Sequence, residues 1–287
     1  MSTLSSTMPN ARLNPWFALR RAIAGSNIYV GGFIVGLVVI MALFAPWIAP
    51  YDPAASDWLA IRQEPSWAHW MGTDDLGRDT LSRVIFGARA SLSAGVISVL
   101  FAMIVGVPLG LISGYFGGWI DAAMARVTEA MLTCPFLVLA IALAAFLGPG
   151  LQNAMIAIGI SAAPLFIRLA RGQAMVVKQE DYVDATRALG ASPWRIIVRH
   201  ILPNSMPPLI VQGTLTVATS ILAESSLAFL GLGQLPPAPS WGSMLDAARQ
   251  FLSESPEMAV FPGLAIIFTV AGFNLLGDGL RRTLDRK

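Results

Sequence analysis

The feature that most constrains this chain is where its charges are missing. Residues 22–51, 90–120, 130–167 and 258–277 contain no Asp, Glu, Lys or Arg, and from Pro208 to Gly233 the only one is Glu224. A helix crossing about 30 Å of hydrocarbon needs roughly 20 apolar residues. The 130–167 run is long enough for two, and the Gly148-Pro149-Gly150 turn, followed by Gln152 and Asn153, divides it. The expectation is an all-α integral membrane protein with six transmembrane helices. Charged residues make up 13% of the chain, about half the roughly 25% of soluble domains. A net charge of +2 leaves no basic stripe for a nucleic acid, and a single cysteine, Cys134, precludes an internal disulfide.

Lys and Arg set the orientation. With the N-terminus inside, the inner segments carry fourteen of them and the outer segments five: Arg62, Arg78, Arg83, Arg89 and Arg249. Both termini are therefore expected in the cytoplasm, with 49–89 and 234–260 outside. The first apolar stretch exceeds the 7–15 residues of a signal-peptide core, and no A-x-A site follows it. Residues 1–25, with Pro9 and Pro15, read as a loose tail ending in an interfacial helix start.

Glycines four apart mark two helix faces for close packing: Gly106, Gly110, Gly114 and Gly118 in the second span, Gly32 and Gly36 in the first. Pro108 and Pro135 are expected to bend their helices. Outside, Thr73 or Asp74 can cap a surface helix whose apolar stripe is Leu81, Val84, Ile85 and Ala88. The acidic residues interleaved with Arg78 and Arg83 look like caps and ion pairs rather than a metal site. Trp47, Trp58, Trp67 and Trp70 suit an interfacial belt, with His69 among them. In the second external segment Pro236, Pro237 and Pro239 preclude a regular helix, and a short one is expected over Asp246–Phe251.

The most informative stretch is 171–207. Glu180 and Asp181 favour a helix N-terminus, Tyr182, Ala185, Thr186 and Leu189 can share one face, and Gly190 is placed as a left-handed cap. Ser192 then caps a second helix with Pro193 in its first turn. Trp194, Ile197, Val198 and Ile201 supply its apolar contacts, and Pro203 is expected to end it. The expected unit is two short helices at an angle outside the bilayer, a docking knob with apolar contacts and a charged border.

Asp184-Ala185-Thr186, then Gly190, nine residues, and His200-Ile201-Leu202-Pro203 resemble the coupling motif of bacterial ABC importer permeases, E-A-A-x3-G-x9-I-x-L-P. The spacing matches throughout, with Asp for Glu at 184, Thr for Ala at 186 and His for Ile at 200. Gly72-Thr73-Asp74 with Gly77-Arg78-Asp79 and Ser82-Arg83, Phe229-Leu230-Gly231-Leu232-Gly233, Pro237-x-Pro239-x-Trp241-Gly242 and Phe273-Asn274-Leu275-x-Gly277-Asp278-Gly279-Leu280-Arg281 resemble the dipeptide/oligopeptide/nickel branch, and its C-type subunit most closely. The resemblance runs from about residue 25 to the end.

That resemblance implies a MetI-like type I ABC importer permease fold in a bacterial inner membrane. It divides the chain into a cytoplasmic tail (1–25), the first helix and external loop (26–86), a five-helix core with the coupling loop 171–207 (87–281), and a second cytoplasmic tail (282–287). It implies a paralogous second permease, two ATPase subunits and an extracytoplasmic binding protein as partners. Tyr182, Asp184, Ala185, Thr186, Leu189, Gly190, Trp194, His200, Leu202 and Pro203 would then couple to the ATPase. The chain has no G-x-x-x-x-G-K-[ST] loop, so ATP and Mg are expected on the ATPase subunits and no cofactor here. No H-E-x-x-H, Cys/His cluster or Ser/His/Asp set lies near a span, so a transport subunit and not an enzyme is expected. Glu224, the only carboxylate deep within a span, is the candidate for the translocation path. An ion-coupled secondary transporter or a channel subunit is the alternative, but no internal repeat is visible. Peptides are the branch's commonest cargo; nickel would prefer clustered His or soft ligands, and His69 and His200 are isolated.

Overall fold

The computed structural model describes residues 15–284, with side chains from residue 27. The expected loose tail lies outside the described residues up to residue 14, and from Pro15 the backbone is already helical; Arg286 and Lys287 also lie outside them. The elements are α1 (Pro15–Leu43), α2 (Ala45–Ile48), α3 (Thr80–Phe116), α4 (Gly118–Thr133), α5 (Phe136–Leu147), α6 (Leu151–Val177), α7 (Asp181–Ala188), α8 (Pro193–Ile196), a π turn (Ile197–Ile201), α9 (Leu202–Phe229), α10 (Trp241–Ala248) and α11 (Glu257–Leu284).

Among the described residues four continuous helices are long and apolar enough to cross a membrane: 80–116, 151–177, 193–229 and 257–284. A fifth span is available only as α4 and α5 together, which meet at 91°, and residues 27–43 form a shorter apolar helix. The six expected spans are thus not reached as six straight helices. The break between α4 and α5 falls at Cys134-Pro135, where proline removes a backbone donor and its ring disfavours helical geometry in the residue before it. Pro108, by contrast, sits inside the unbroken α3.

The core is α3 against α6. A Cβ on Gly106, Gly110 or Gly114 would drive into the carbonyl of Ala163, Ile167 or Arg171 respectively, so the two backbones touch along three turns. In lipid, where apolar side chains gain little by leaving the solvent, such contact is a main source of cohesion. Gly118 does not join this face; it lies in the break after α3, at φ +58°. Gly32 and Gly36 also face open space, contrary to expectation. Their neighbour Gly31 makes the close approach instead, against Gly272 and Leu276 of α11.

Between α2 and α3 no separate surface helix precedes the second span: the stripe Val84, Ile85 and Ala88 is buried in the first turns of α3, which runs unbroken past residues 86 and 87. Its cap is Asp79, not Thr73 or Asp74: Ser82 N–H and Oγ–H donate to Asp79 Oδ2 at 2.8 and 2.7 Å. Asp74 instead closes a tight turn, accepting from Arg78 Nε at 2.7 Å and Arg78 N–H at 2.9 Å. Arg83 reaches Pro53 O at 2.8 Å, and His69 Nδ1 lies 2.9 Å from Asp79 Oδ1. The acidic residues do serve as a cap and as ion-pair partners. Trp47, Trp58, Trp67 and Trp70 are all strongly exposed. Arg62 ties this loop to the segment between α9 and α11 through Glu254 at 2.5 Å.

That second segment also differs from expectation. Its helix starts at Trp241 rather than near Asp246, because Ser240 and Ser243 form a reciprocal capping box. Trp241 is fully buried, and its indole N–H donates to Val84 O at 3.0 Å. The tryptophan anchors α10 between α3 and α9.

Candidate functional site

Residues 178–205 form the surface feature that the coupling motif anticipates. Glu180 enters α7 with extended backbone geometry, and Asp181 and Asp184 fill its first turn while Arg187 stands in its last. This charge order complements the helix dipole. Gly190 leaves the helix at φ +81°. Ser192 then caps α8, accepting from Arg195 N–H at 3.4 Å, with Pro193 in the first turn. The caps read from sequence are all present.

Burial separates the two faces. Val183, Ile196, Ile197 and Ile201 are buried and hold the unit to the helix ends. On the other side stand Tyr182, Ala185, Leu189 (89% exposed), Trp194 (58% exposed) and Val198, with Thr186 half-buried. Tyr182 is braced by Asn204, which donates to its hydroxyl at 3.1 Å, and its ring lies 6.1 Å from that of His200. Trp194 meets Phe116, the last residue of α3, edge-on at 6.3 Å. Asp184 pairs with Arg187 at 2.8 Å on the open surface. Of the motif residues, the structure brings Tyr182, Asp184, Ala185, Leu189, Gly190 and Trp194 to this surface. Leu202 is half-buried and Pro203 exposed in the first turn of α9.

Pro203 does not end a helix. α8 passes through the π turn into α9 as one 37-residue helix from Pro193 to Phe229. The Leu202 N–H bonds to Ile197 O, five residues back. This wider turn makes room where a proline ring would otherwise press on the carbonyl one turn earlier. Glu224 therefore belongs to the same continuous helix as Trp194. It is fully buried and accepts from Ser91 Oγ at 3.1 Å; Ser91 in turn accepts from Trp241 N–H at 3.3 Å. In this structure the carboxylate lines no open surface; it joins α9, α3 and α10.

One feature escaped the sequence reading. Arg171 of α6 grips Asp121 of α4 with both nitrogens, at 2.5 and 2.7 Å, and Ser113 of α3 donates to the same carboxylate at 2.7 Å. Lys178 adds a bond to Gly114 O at 2.7 Å. Asp121, the lone acid just after Gly117-Gly118, was its only signal in the sequence.

Residues 106–287 match the family described as the binding-protein-dependent transport system inner membrane component, and residues 28–65 match the N-terminal transmembrane domain of oligopeptide transport permease C. The glutathione transport system permease of Pectobacterium atrosepticum is 42% identical, covering 100% of this chain and 96% of its own length. A probable D,D-dipeptide transport system permease of Escherichia coli is 48% identical over 88% of this chain and 85% of its own. A dipeptide transport system permease of Alkalihalophilus pseudofirmus is 44% identical over 96% and 91%. In fold, the chain is similar to the MetNI methionine ABC transporter in an inward-facing conformation, with a TM-score of 0.57 at 20% identity over 72% of this chain and 96% of that one. A secondary transporter or channel is set aside by these matches, and so is an enzyme. The chain belongs to the inner-membrane permeases of binding-protein-dependent ABC import systems.

Proposed function

We propose that this permease forms half of a translocation path for short peptides, and that residues 181–203 take up the motion of a cognate ATPase. The cargo reading rests on the near full-length identity to permeases named for glutathione, D,D-dipeptides and dipeptides. These three cargoes share a peptide backbone and a small size. The complete assembly adds a paralogous permease, two ATPase subunits that carry ATP and Mg, and an extracytoplasmic binding protein. Both termini lie in the cytoplasm, in keeping with the excess of Lys and Arg in the inner segments.

A single observation carries the coupling reading: a buried apolar face anchors α7 and α8 while Leu189 and Trp194 are exposed on the opposite side. Exposed large apolar groups on a rigid, charge-bordered unit mark an interaction surface, and aromatic anchors are frequent binding hot spots. Tyr182, Ala185, Leu189 and Trp194 supply the contact. Asp184, Thr186 and His200 border it, and Gly190, Leu202 and Pro203 shape the backbone that presents it. Ala185→Arg places bulk and charge on this face and leaves the Gly190 turn intact. The variant is expected to insert and fold but to lose ATPase association, read by co-purification, together with substrate-stimulated ATP hydrolysis. Wild-type assembly and transport in that variant would refute the docking face.

A further inference from the structure

Between α4 and α6 lies a cavity of about 380 Å³. Its wall is largely apolar, with Met124, Leu132 and Ile167, and it includes three charged residues on facing helices, Glu129 on α4 and Arg168 and Arg171 on α6. The neighbouring Arg171 is already held by Asp121. Arg168, three residues earlier and exposed, makes no hydrogen bond or ion pair among the described residues; the Glu129 side chain makes none either, although it feels the charge of Arg171. Thr128, also in the wall, spends its hydroxyl on Met124 O at 2.7 Å. Seventeen residues past Leu151 put Arg168 about 25 Å along α6, about two thirds of the way down a helix that crosses the membrane.

An unpaired charge at such a position is costly against lipid and is sustained by water, a partner group or a ligand. The volume falls within the range of small-molecule sites, which combine apolar walls with a few placed polar groups. A purely anionic ligand would be repelled by Glu129 and a purely cationic one by Arg168. A molecule with an ammonium at one end, a carboxylate at the other and an apolar middle satisfies both. We propose that this cavity is an inner subsite for zwitterionic peptide cargo, with Glu129 taking the α-ammonium and Arg168 the terminal carboxylate. The subsite rests on the peptide reading above and deepens it.

The test uses the whole complex of permeases and ATPase subunits in nanodiscs, without nucleotide or binding protein, titrated with trialanine. The wild type is expected to bind, and Arg168→Gln and Glu129→Gln are each expected to weaken binding about tenfold, the scale of one charge-assisted hydrogen bond. Trialanine amide should lose affinity for the wild type but nothing further in Arg168→Gln. N-acetyl-trialanine should lose affinity for the wild type but nothing further in Glu129→Gln. Import is measured in parallel, with the binding protein added to proteoliposomes. If the wild type imports no peptide, the cargo reading falls and the subsite with it. If it imports peptide but binds no trialanine from within, or both variants bind like the wild type, the subsite alone falls. Failure of either variant to assemble would make these charges a subunit contact and would equally overturn it.

Discussion

At Gly190 the backbone stands at φ +81°, and nothing lies within 4 Å of where a Cβ would be added. Gly190→Ala therefore strains the chain without colliding with anything, at a cost of about 1 kcal/mol. Faster hydrogen exchange over 186–192 with unchanged exchange in α9 is the expected reading. Next to it, the Asp184–Arg187 pair is more than half exposed on both sides. Exposed pairs contribute little, so Arg187→Ala should change thermal stability by less than about 0.5 kcal/mol. Local chemistry of this kind is legible in sequence: Ser192-Pro193 and Gly190 each specify their own backbone geometry, and each is where it was expected. Glu224 is the opposite case. Its carboxylate is visible as an anomaly in an apolar run, but its partner Ser91 is 133 residues away, and the Trp241 N–H that donates to Ser91 stands on the separate helix α10. No local pattern encodes that meeting.

For whole helices, the α3–α6 contact carries a sharp contrast. Gly110→Ala pushes a methyl into Ile167 O and Ala170, and overpacking of this kind costs about 1–3 kcal/mol. Gly36→Ala meets open space and should leave the unfolding temperature of the solubilised permease unchanged, while Gly110→Ala lowers it. The four-residue spacing is identical in the two helices, so sequence alone does not tell a packed glycine from an exposed one; the face each helix turns to a neighbour decides. The same limit hid the continuity of the 193–229 helix. Pro203 reads as a stop, and its accommodation depends on a π turn whose only sequence trace is the run of apolar residues around it. The break at Pro135 was legible because no comparable adjustment relieves it.

Across the whole molecule the charge-free runs and the basic bias predict sidedness. Cysteine introduced by Asp57→Cys should react with an impermeant maleimide from outside, and that from Glu180→Cys only after the membrane is opened; the reverse pattern would invert the assignment. Both positions are exposed, so access is decided by sidedness rather than burial. The uninterrupted helix from Pro193 to Phe229 has a mechanical consequence. At 1.5 Å per residue it is about 55 Å long, and Glu224 sits about 46 Å from its Pro193 end. A rod of that length is a lever arm: tilting it by about 10° about the Pro193 end sweeps the Glu224 end sideways by about 8 Å. A displacement of that size exceeds the side-chain adjustments a packed core absorbs, so α10, anchored to the far end through Trp241 and Ser91, must travel with such a tilt or come off its seat.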